Sequence, residues 1–281
     1  MESVAVKAYA KINLTLFITG VENGYHMLDS LVASMDLHDK ITLKKRKDKQ
    51  IFVTMHGMGS ESIPHEGNNA VKAGRLFVEA FATCGADITI EKNIPMGAGL
   101  GGSSADAAGV LRGLAQLYNI DDFERLKLLA DKTGSDTRYM LRGGWARLFN
   151  RGNEVKEIDG KLKVHVLLLV PDEAVSTAQC YSAFDKCGTI GGNSDGAERA
   201  VTEGNLKGLA DGLCNSLMPA AVTLSGAIKN CIEELKEFSP LAINMTGSGS
   251  GVYALFENKE KCACAKSLYK GRARAYISEV K

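Results

Sequence analysis

Hydrophobic and polar residues alternate near the start of the chain and later recur every three to four positions, so both strands and helices are expected. The alternating stretch 4–20, rich in Val, Ile and Thr, predicts strands that end at the Asn23–Gly24 turn signal. Residues 39–57 predict a hairpin whose lysine-rich tip we interpret as a solvated surface. Residues 69–83 predict a helix, and 86–95 predict a strand.

A second helix is predicted directly after a glycine-rich run. Its apolar side chains share one face, with Ser103 or Ser104 as the expected cap and Asp106 in the first turn. The later predicted elements are a helix at 123–134, a helical turn from Ser135, a buried strand at 163–171, helices at about 198–211 and 220–237, a strand–glycine turn–strand at 241–257, and a final helix and strand. The polar stretch 155–162 predicts a boundary between domains at 1–158 and 159–281.

Composition narrows the function classes. The 281 residues carry 34 Lys+Arg and 33 Asp+Glu, a net charge of +1, which excludes a broad electrostatic grip on nucleic acid or on an anionic membrane. No apolar run is long enough to span a bilayer, and the charged first residues do not form a signal peptide. We therefore expect a cytoplasmic protein whose seven cysteines are reduced thiols, with no nucleic-acid or membrane partner.

The glycine run IPMGAGLGGSS at 94–104 is the clearest chemical feature. Closely spaced glycines let backbone N–H groups approach an anion, and a following helix adds the positive end of its dipole. A Walker A loop needs a lysine before the Ser or Thr, whereas Gly102 precedes Ser103 here. A Rossmann fingerprint needs an acidic residue at a second strand end, which this chain does not offer. A different kind of phosphate loop is therefore predicted.

Three motifs in order resemble the galactokinase, homoserine kinase, mevalonate kinase and phosphomevalonate kinase (GHMP) superfamily. They are AYAKINLTL (8–16), IPMGAGLGGSS (94–104) and MTGSGSGVYALF (245–256). GYH at 24–26 and VSTAQCY at 175–181 resemble one branch, the 4-diphosphocytidyl-2-C-methyl-D-erythritol kinases of non-mevalonate isoprenoid precursor biosynthesis. The resemblance covers essentially the whole chain. It implies a two-domain α+β fold with the active site in the inter-domain cleft, and ATP-dependent phosphorylation of a hydroxyl of the cytidine-diphosphate sugar alcohol.

The resemblance also implies roles for particular residues, with ATP and Mg²⁺ as cofactors. Lys11 and Asp136 correspond to the catalytic pair, and Asn13, Tyr25 and His26 to substrate-binding positions, with Tyr181 as a second stacking partner for the base. The implied ATP-binding residues are Ile94, Pro95, Met96, Gly97, Ala98, Gly99, Leu100, Gly101, Gly102, Ser103 and Ser104. The residue types suit the chemistry, because phosphoryl transfer to an alcohol needs a cation at the phosphate and a group that positions or deprotonates the hydroxyl.

The chain departs from the superfamily branch at several places. Thr137 and Arg138 stand where Val-Pro usually follows the aspartate, and Val21–Asn23 lacks the arginine expected before GYH. Asn215–Ser216 replaces an Asn-Asp pair, and Arg151–Glu154 replaces Gly-x-Gly-Glu. These positions concern the acceptor more than the nucleotide phosphates.

Two alternatives stay open at this point. One is a GHMP-type kinase with a different small-alcohol acceptor, against which GYH and the VST…Tyr segment argue. The other is a degenerate paralogue that binds nucleotide without turnover, which the changed neighbours of Asp136 keep open. Phosphotransfer assays separate an enzyme from a binder, and the stabilisation of the chain by cytidine compounds separates the acceptors.

Overall fold

A computed structural model describes residues 2–62 and 67–280. The helices are α1 (Asn69–Phe81), α2 (Gly102–Tyr118), α3 (Phe123–Asp131), α4 (Thr137–Met140), α5 (Thr177–Cys187), α6 (Asp195–Glu203), α7 (Leu206–Asp211), α8 (Met218–Leu224), α9 (Gly226–Lys236) and α10 (Lys259–Leu268). The strands are β1 (Ser3–Asn13), β2 (Thr15–Glu22), β3 (Tyr25–Lys45), β4 (Ile51–Gly57), β5 (Ala86–Lys92), β6 (Ala146–Asn150), β7 (Glu154–Glu157), β8 (Val164–Val170), β9 (Cys214–Asn215), β10 (Ala242–Met245), β11 (Val252–Phe256) and β12 (Arg274–Val280).

The described residues form two compact units that alternate along the sequence. The first unit comprises Met1–Ala10, Leu37–Met96 and Gly101–Gly143, apart from the undescribed residues. The second comprises Lys11–Asp36, Gly97–Leu100 and Gly144–Lys281, with the same exception. Since the units interleave, neither is one continuous stretch of sequence, and the predicted boundary at 158 stays a prediction.

In the first unit, β5 lies between β3 and β4. It pairs antiparallel with the end of β3 (Ile41↔Ile90) and parallel with β4 (Val53↔Ile88). The predicted hairpin at 39–57 is therefore wrong, because the strand that follows α1 inserts between its two arms. α2 approaches this sheet closely, since a Cβ at Gly109 would lie 2.6 Å from Ile41 Cδ1. Gly109 thus allows close packing of the helix on the sheet.

In the second unit, β10, β11, β8 and β12 form an antiparallel series. β8 is apolar on both faces and almost wholly buried, which confirms the strand predicted at 163–171. β12 meets β3 at Val280↔Met35, while the first part of β3 pairs with β2 and β6. Leu167, Leu169, Ile228 and Leu235 lie in the core that this sheet shares with the surrounding helices.

Several predicted elements differ in extent from the observed ones. The helix expected at 198–211 is two helices, α6 and α7, because Gly204 adopts the left-handed conformation (φ 77°) between them. The helix expected at 220–237 is likewise interrupted at Ser225 between α8 and α9. α5 lies in a stretch for which no helix is predicted. Among the described residues, no helix combines the length and apolarity needed to cross a membrane.

Candidate active site

Lys11 and Asn13 lie on the same face at the end of β1, because side chains two residues apart in a strand point the same way. Both are almost fully buried, with exposed fractions of 5% and 4%. The Lys11 Nζ donates to Asn13 Oδ1 over 2.5 Å. The Lys11 side chain is therefore fixed inside the protein by a hydrogen bond and is not a surface group in solvent.

Several other residues of the second unit orient the Asn13 side chain. Its Nδ2 donates to Ser30 Oγ (2.8 Å), and its Oδ1 accepts from the backbone N of Gly247 (3.0 Å). Its own backbone N donates to Thr246 Oγ1 (3.1 Å). These contacts fix which end of the amide faces Lys11, so Asn13 links the first and last sequence motifs.

Residues 97–100 are hydrogen-bonded to the same part of the second unit. The Lys11 backbone N donates to Leu100 O, the Ser250 backbone N donates to Gly97 O, and Thr246 Oγ1 donates to Gly99 O, over 3.0, 3.0 and 3.1 Å. A Cβ at Gly99 would clash with the carbonyl oxygen of Thr246. The second unit therefore brings together parts of all three motifs that carry the resemblance.

The rest of the glycine run leads into α2 in the first unit. Gly97, Gly99 and Gly101 have φ of 66°, 72° and 70°, a region that favours glycine. The N-cap of α2 is Gly101 and makes no side-chain hydrogen bond, so the expected capping by Ser103 or Ser104 is wrong. Ser103 Oγ instead accepts from Asn69 Nδ2 (2.9 Å). The helix start is thus not capped by a side chain, as an anion site at a helix N-terminus requires.

A buried ion triad, for which the sequence shows no local pattern, lies beside this loop. Lys92 Nζ donates to Asp39 and to Asp106 Oδ2, the latter over 2.6 Å. Asp39 Oδ1 also accepts from the backbone N of Asn93 (2.5 Å) and of Ile94 (2.8 Å), at the start of the glycine run. Asp106 was expected in the first turn of α2, near the positive end of the helix dipole, and this is wrong. It lies in the second turn and pairs with Lys92.

The triad holds two carboxylates and one ammonium. Burial alone would lower the pKa of Lys92, but the two adjacent carboxylates outweigh it and raise that pKa. Burial raises the pKa of Asp106 to about 7, and the neighbouring Asp39 adds to the rise while Lys92 opposes it. Asp39 is wholly buried and accepts hydrogen bonds from two backbone N–H groups, so it fixes the chain at the start of the glycine run.

Asp136 lies at the N-cap position of the short helix α4 in the first unit, and its side chain is half-buried. Thr137 is fully buried, and its hydroxyl has no hydrogen-bond partner among the described residues. Arg138 faces Asp131, with Nε 3.2 Å from Oδ1. Of the two residues that depart from the branch pattern, Arg138 is therefore paired within this unit and Thr137 is buried in it.

The predicted cytidine-binding residues all lie in the second unit. Asn23 and Gly24 (φ 51° and 78°) form the predicted two-residue turn between β2 and β3, which places Tyr25 at its end with half of its surface exposed. The His26 ring lies 4.7 Å from the Tyr181 ring, between centroids, at an interplanar angle of 39°. His26 Nε2 lies 2.6 Å from Asp185 Oδ1, one helical turn beyond Tyr181.

Asp185 is a neighbour of the predicted substrate-binding residue His26 that the sequence patterns do not reveal directly. The signal was its spacing, because residues four apart on a helix share a face. That signal is visible only if α5 is recognised as a helix. No group of three His, Cys, Asp or Glu side chains in the described part of the chain is arranged to hold a metal ion.

Comparison with known proteins follows the same motifs. The family model described as GHMP kinases N terminal domain matches residues 68–145, and the GHMP kinases C terminal model matches residues 197–263. A 4-diphosphocytidyl-2-C-methyl-D-erythritol kinase of Clostridium tetani is 36% identical over an alignment of 283 positions, covering 98% of this chain and 99% of that protein. The chain belongs to the 4-diphosphocytidyl-2-C-methyl-D-erythritol kinase family.

Other relatives agree with this family. A 4-diphosphocytidyl-2-C-methyl-D-erythritol kinase of Caldicellulosiruptor saccharolyticus is 35% identical over 98% of this chain and 94% of its own. A crystal structure of a 4-(cytidine 5'-diphospho)-2C-methyl-D-erythritol kinase superposes with a TM-score of 0.81 at 28% identity, covering 99% of each chain. Homoserine kinase from Cytophaga hutchinsonii, with a TM-score of 0.75 at 18% identity over 100% of this chain and 95% of its own, shares the fold. As a member of this kinase family, the chain is an ATP-dependent small-molecule phosphotransferase with the predicted GHMP-kinase fold.

Proposed function

We propose that the chain transfers the γ-phosphoryl group of ATP to a hydroxyl of 4-diphosphocytidyl-2-C-methyl-D-erythritol, in the non-mevalonate route to isoprenoid precursors. The observation that carries this substrate is the full-length similarity to kinases named for it. The ring contact between His26 and Tyr181 and the half-exposed ring of Tyr25 support it, because flat, accessible rings suit a pyrimidine base.

We assign the acid–base work to Asp136 and the fixed positive charge to Lys11. An alcohol does not ionise unaided at neutral pH, so a carboxylate that accepts its proton during transfer lowers the barrier. Asp136 is half-buried and N-terminal to α4, where negative charge is favoured. Lys11 is held by Asn13, and its ammonium offsets charge that develops on phosphoryl oxygens.

We assign triphosphate binding to the glycine run Ile94–Ser104. Positive φ values at alternate glycines turn the backbone so that N–H groups can converge, and the N-terminus of α2 adds partial positive charge. The clash predicted for a Cβ at Gly99 shows how tightly this run is packed against Thr246.

Mg²⁺ is proposed to enter with ATP. The donors present fit it, because the Ser103 hydroxyl and the Asp136 carboxylate are hard oxygen ligands in the first unit. The described residues contain no group of three His, Cys, Asp or Glu side chains that could hold a metal ion by itself. Most of the Mg²⁺ ligands would therefore be phosphate oxygens and water, as is usual for this ion. The bound ion would neutralise charge on the transferring phosphoryl group.

One experiment tests the substrate. The purified chain is given ATP and Mg²⁺ with 4-diphosphocytidyl-2-C-methyl-D-erythritol, homoserine or mevalonate, and ADP release is measured. We expect turnover with the cytidine compound alone, and thermal stabilisation by cytidine diphosphate. Turnover with another acceptor would replace the proposed substrate, and ATP binding without any turnover would identify a nucleotide-binding paralogue.

A further inference from the structure

An arginine covers one face of the Tyr25 ring. The guanidinium carbon of Arg151 lies 3.5 Å from the ring centroid, which is direct contact between two flat groups. The other cation–ring pairs among the described residues are longer, from 4.5 Å for Arg46 on Phe52 to 5.6 Å for Lys127 on Phe123. The Arg151–Tyr25 pair is therefore stacked, whereas the others are looser neighbours.

Arg151 is delivered to this position by an ordered turn. It follows β6, whose last residue pairs with β3 at Leu28↔Asn150, so the chain continues antiparallel toward the Tyr25 end of β3. The Gly152 backbone N donates to Phe149 O (2.9 Å), and Asn150 Nδ2 donates to Glu154 Oε2 (2.7 Å). The turn is closed by its own hydrogen bonds, so the location of Arg151 does not depend on a ligand.

Tyr25 is the kind of side chain that such a contact would restrain. It is the first residue after the Asn23–Gly24 turn and is 51% exposed, so β-sheet packing holds only part of the ring. A guanidinium is planar, always charged and weakly hydrated, which lets it stack on an aromatic face that faces solvent. A lysine ammonium in its place would contact the ring only as a point charge.

We propose that Arg151 is a positioning and specificity residue for the pyrimidine part of the acceptor substrate. It fixes the orientation of the Tyr25 ring and occupies one face, so that a base stacks on the opposite face only. Binding then costs less conformational entropy, because the ring is already ordered before the ligand arrives. This inference rests on the proposed function, since it names a residue for the cytidine end of that substrate.

The test compares Arg151→Gln and Arg151→Lys with the wild type. Kinetic constants are measured for 4-diphosphocytidyl-2-C-methyl-D-erythritol and for ATP, and affinity for cytidine diphosphate is measured by calorimetry without turnover. We expect Arg151→Gln to raise KM for the acceptor about three- to tenfold, the range of a partly desolvated cation–π contact, with kcat and the KM for ATP unchanged. Arg151→Lys should lie between the two. Arg125→Gln removes another cation–ring pair, on Phe81 in the first unit, and serves as the matched control.

A double variant tests whether Arg151 acts through the ring. In a Tyr25→Ala background, Arg151→Gln should cause no further loss of cytidine diphosphate affinity, since the ring it positions is gone. A full additional loss would show that Arg151 contacts the ligand directly and would overturn the positioning role. Unchanged acceptor KM and cytidine diphosphate affinity in Arg151→Gln would overturn the inference and leave the proposed function standing. A wild type that neither binds cytidine diphosphate nor turns over the acceptor would overturn both.

Discussion

At Asn13 a single amide serves several neighbours. Its oxygen receives Lys11 Nζ and the Gly247 N–H, while its nitrogen donates to Ser30. Sequence resemblance assigns this residue to the substrate, and that role stays a prediction. Independently of that role, the contacts show a residue that holds a lysine and a glycine loop in register.

The catalytic assignment predicts matched kinetic losses. Asp136→Asn keeps the shape and removes the charge, so kcat should fall by about 10²–10⁴, the usual worth of general-base help. Lys11→Met, which replaces a buried stem by one of similar length, should lower kcat similarly. The double variant should lose little more than either single variant, because residues that act as one unit are non-additive. Steady-state kinetics give kcat, and calorimetry should show ATP affinity nearly unchanged.

Wild-type turnover in Asp136→Asn would end the assignment of Asp136 as the base. Additive losses in the double variant would contradict the view that the two residues serve one step.

A substitution at Gly99 can separate the stability cost of close packing from the cost of backbone strain. Gly99→Ala places a Cβ against the Thr246 carbonyl at φ 72°, whereas Gly204→Ala has the same strain, φ 77°, with open space around the Cβ. The control should cost about 1 kcal/mol of unfolding free energy, and Gly99→Ala distinctly more, with weaker ATP binding. Denaturant unfolding and ATP titration measure both. Equal losses in the two variants would mean that the Thr246 contact yields without cost.

Gly101 is a less informative position. Its φ of 70° would strain any branched side chain, so a valine there would combine backbone strain with any loss of phosphate contact.

The junction between β5 and α2 holds the buried ion triad of Lys92, Asp39 and Asp106. Lys92 and Asp106 bridge the end of one element and the second turn of the other, and Asp39 pins the backbone between them. The junction therefore sets where the glycine run begins.

This junction predicts a pH dependence. The pKa of Asp106 rises from 3.8 in its ordinary state to about 7 in the folded chain, so the folded state binds this proton more tightly than the unfolded state. Its contribution to folding must then fall as pH rises from about 4 to about 7 and stay constant above that. Asp106→Asn is neutral throughout. Its stability relative to the wild type should therefore increase across this window, measured by denaturant unfolding at several pH values. Parallel curves for the two proteins would contradict the raised pKa.

Across the whole molecule, periodicity predicts elements whose contacts are local. α2, α3 and β8 are confirmed because their own apolar spacing specifies them. The 39–57 hairpin fails because β5, which displaces it, lies some thirty residues further along. Periodicity does not determine pairing at that separation, nor does it show that two units interleave.

The candidate site divides in the same way. Lys11 and Asn13 share a face by strand period alone, and the Asn-Gly turn before Tyr25 is a local signal. Arg151 could not be found from local patterns, because it reaches Tyr25 from a distant element, and Asp185 could be found only if α5 was recognised as a helix. The placement of the active site between domains stays a prediction.

If the cytidine substrate and ATP bind to different residues, a substitution in one set should weaken the binding of only one of the two ligands. Tyr25→Ala and Tyr181→Ala should each weaken the cytidine substrate about tenfold or more, since stacking is worth ~1–3 kcal/mol per base. ATP affinity should be spared. Tyr181→Phe keeps the ring and is the control. Equal loss of both ligands would show that these rings are core residues rather than a binding surface.

Trp145, the residue before β6, gives the molecule an optical probe of its own. It is the single tryptophan in the sequence, is buried against Gly160, and its indole N–H has no hydrogen-bond partner among the described residues. An indole in such dry surroundings emits at short wavelength, and exposure to water shifts that emission to the red. The strand that follows it, β6, ends at Asn150, directly before Arg151. Intrinsic fluorescence of the unlabelled chain should therefore follow the opening of the very strand that supports the Tyr25 stack.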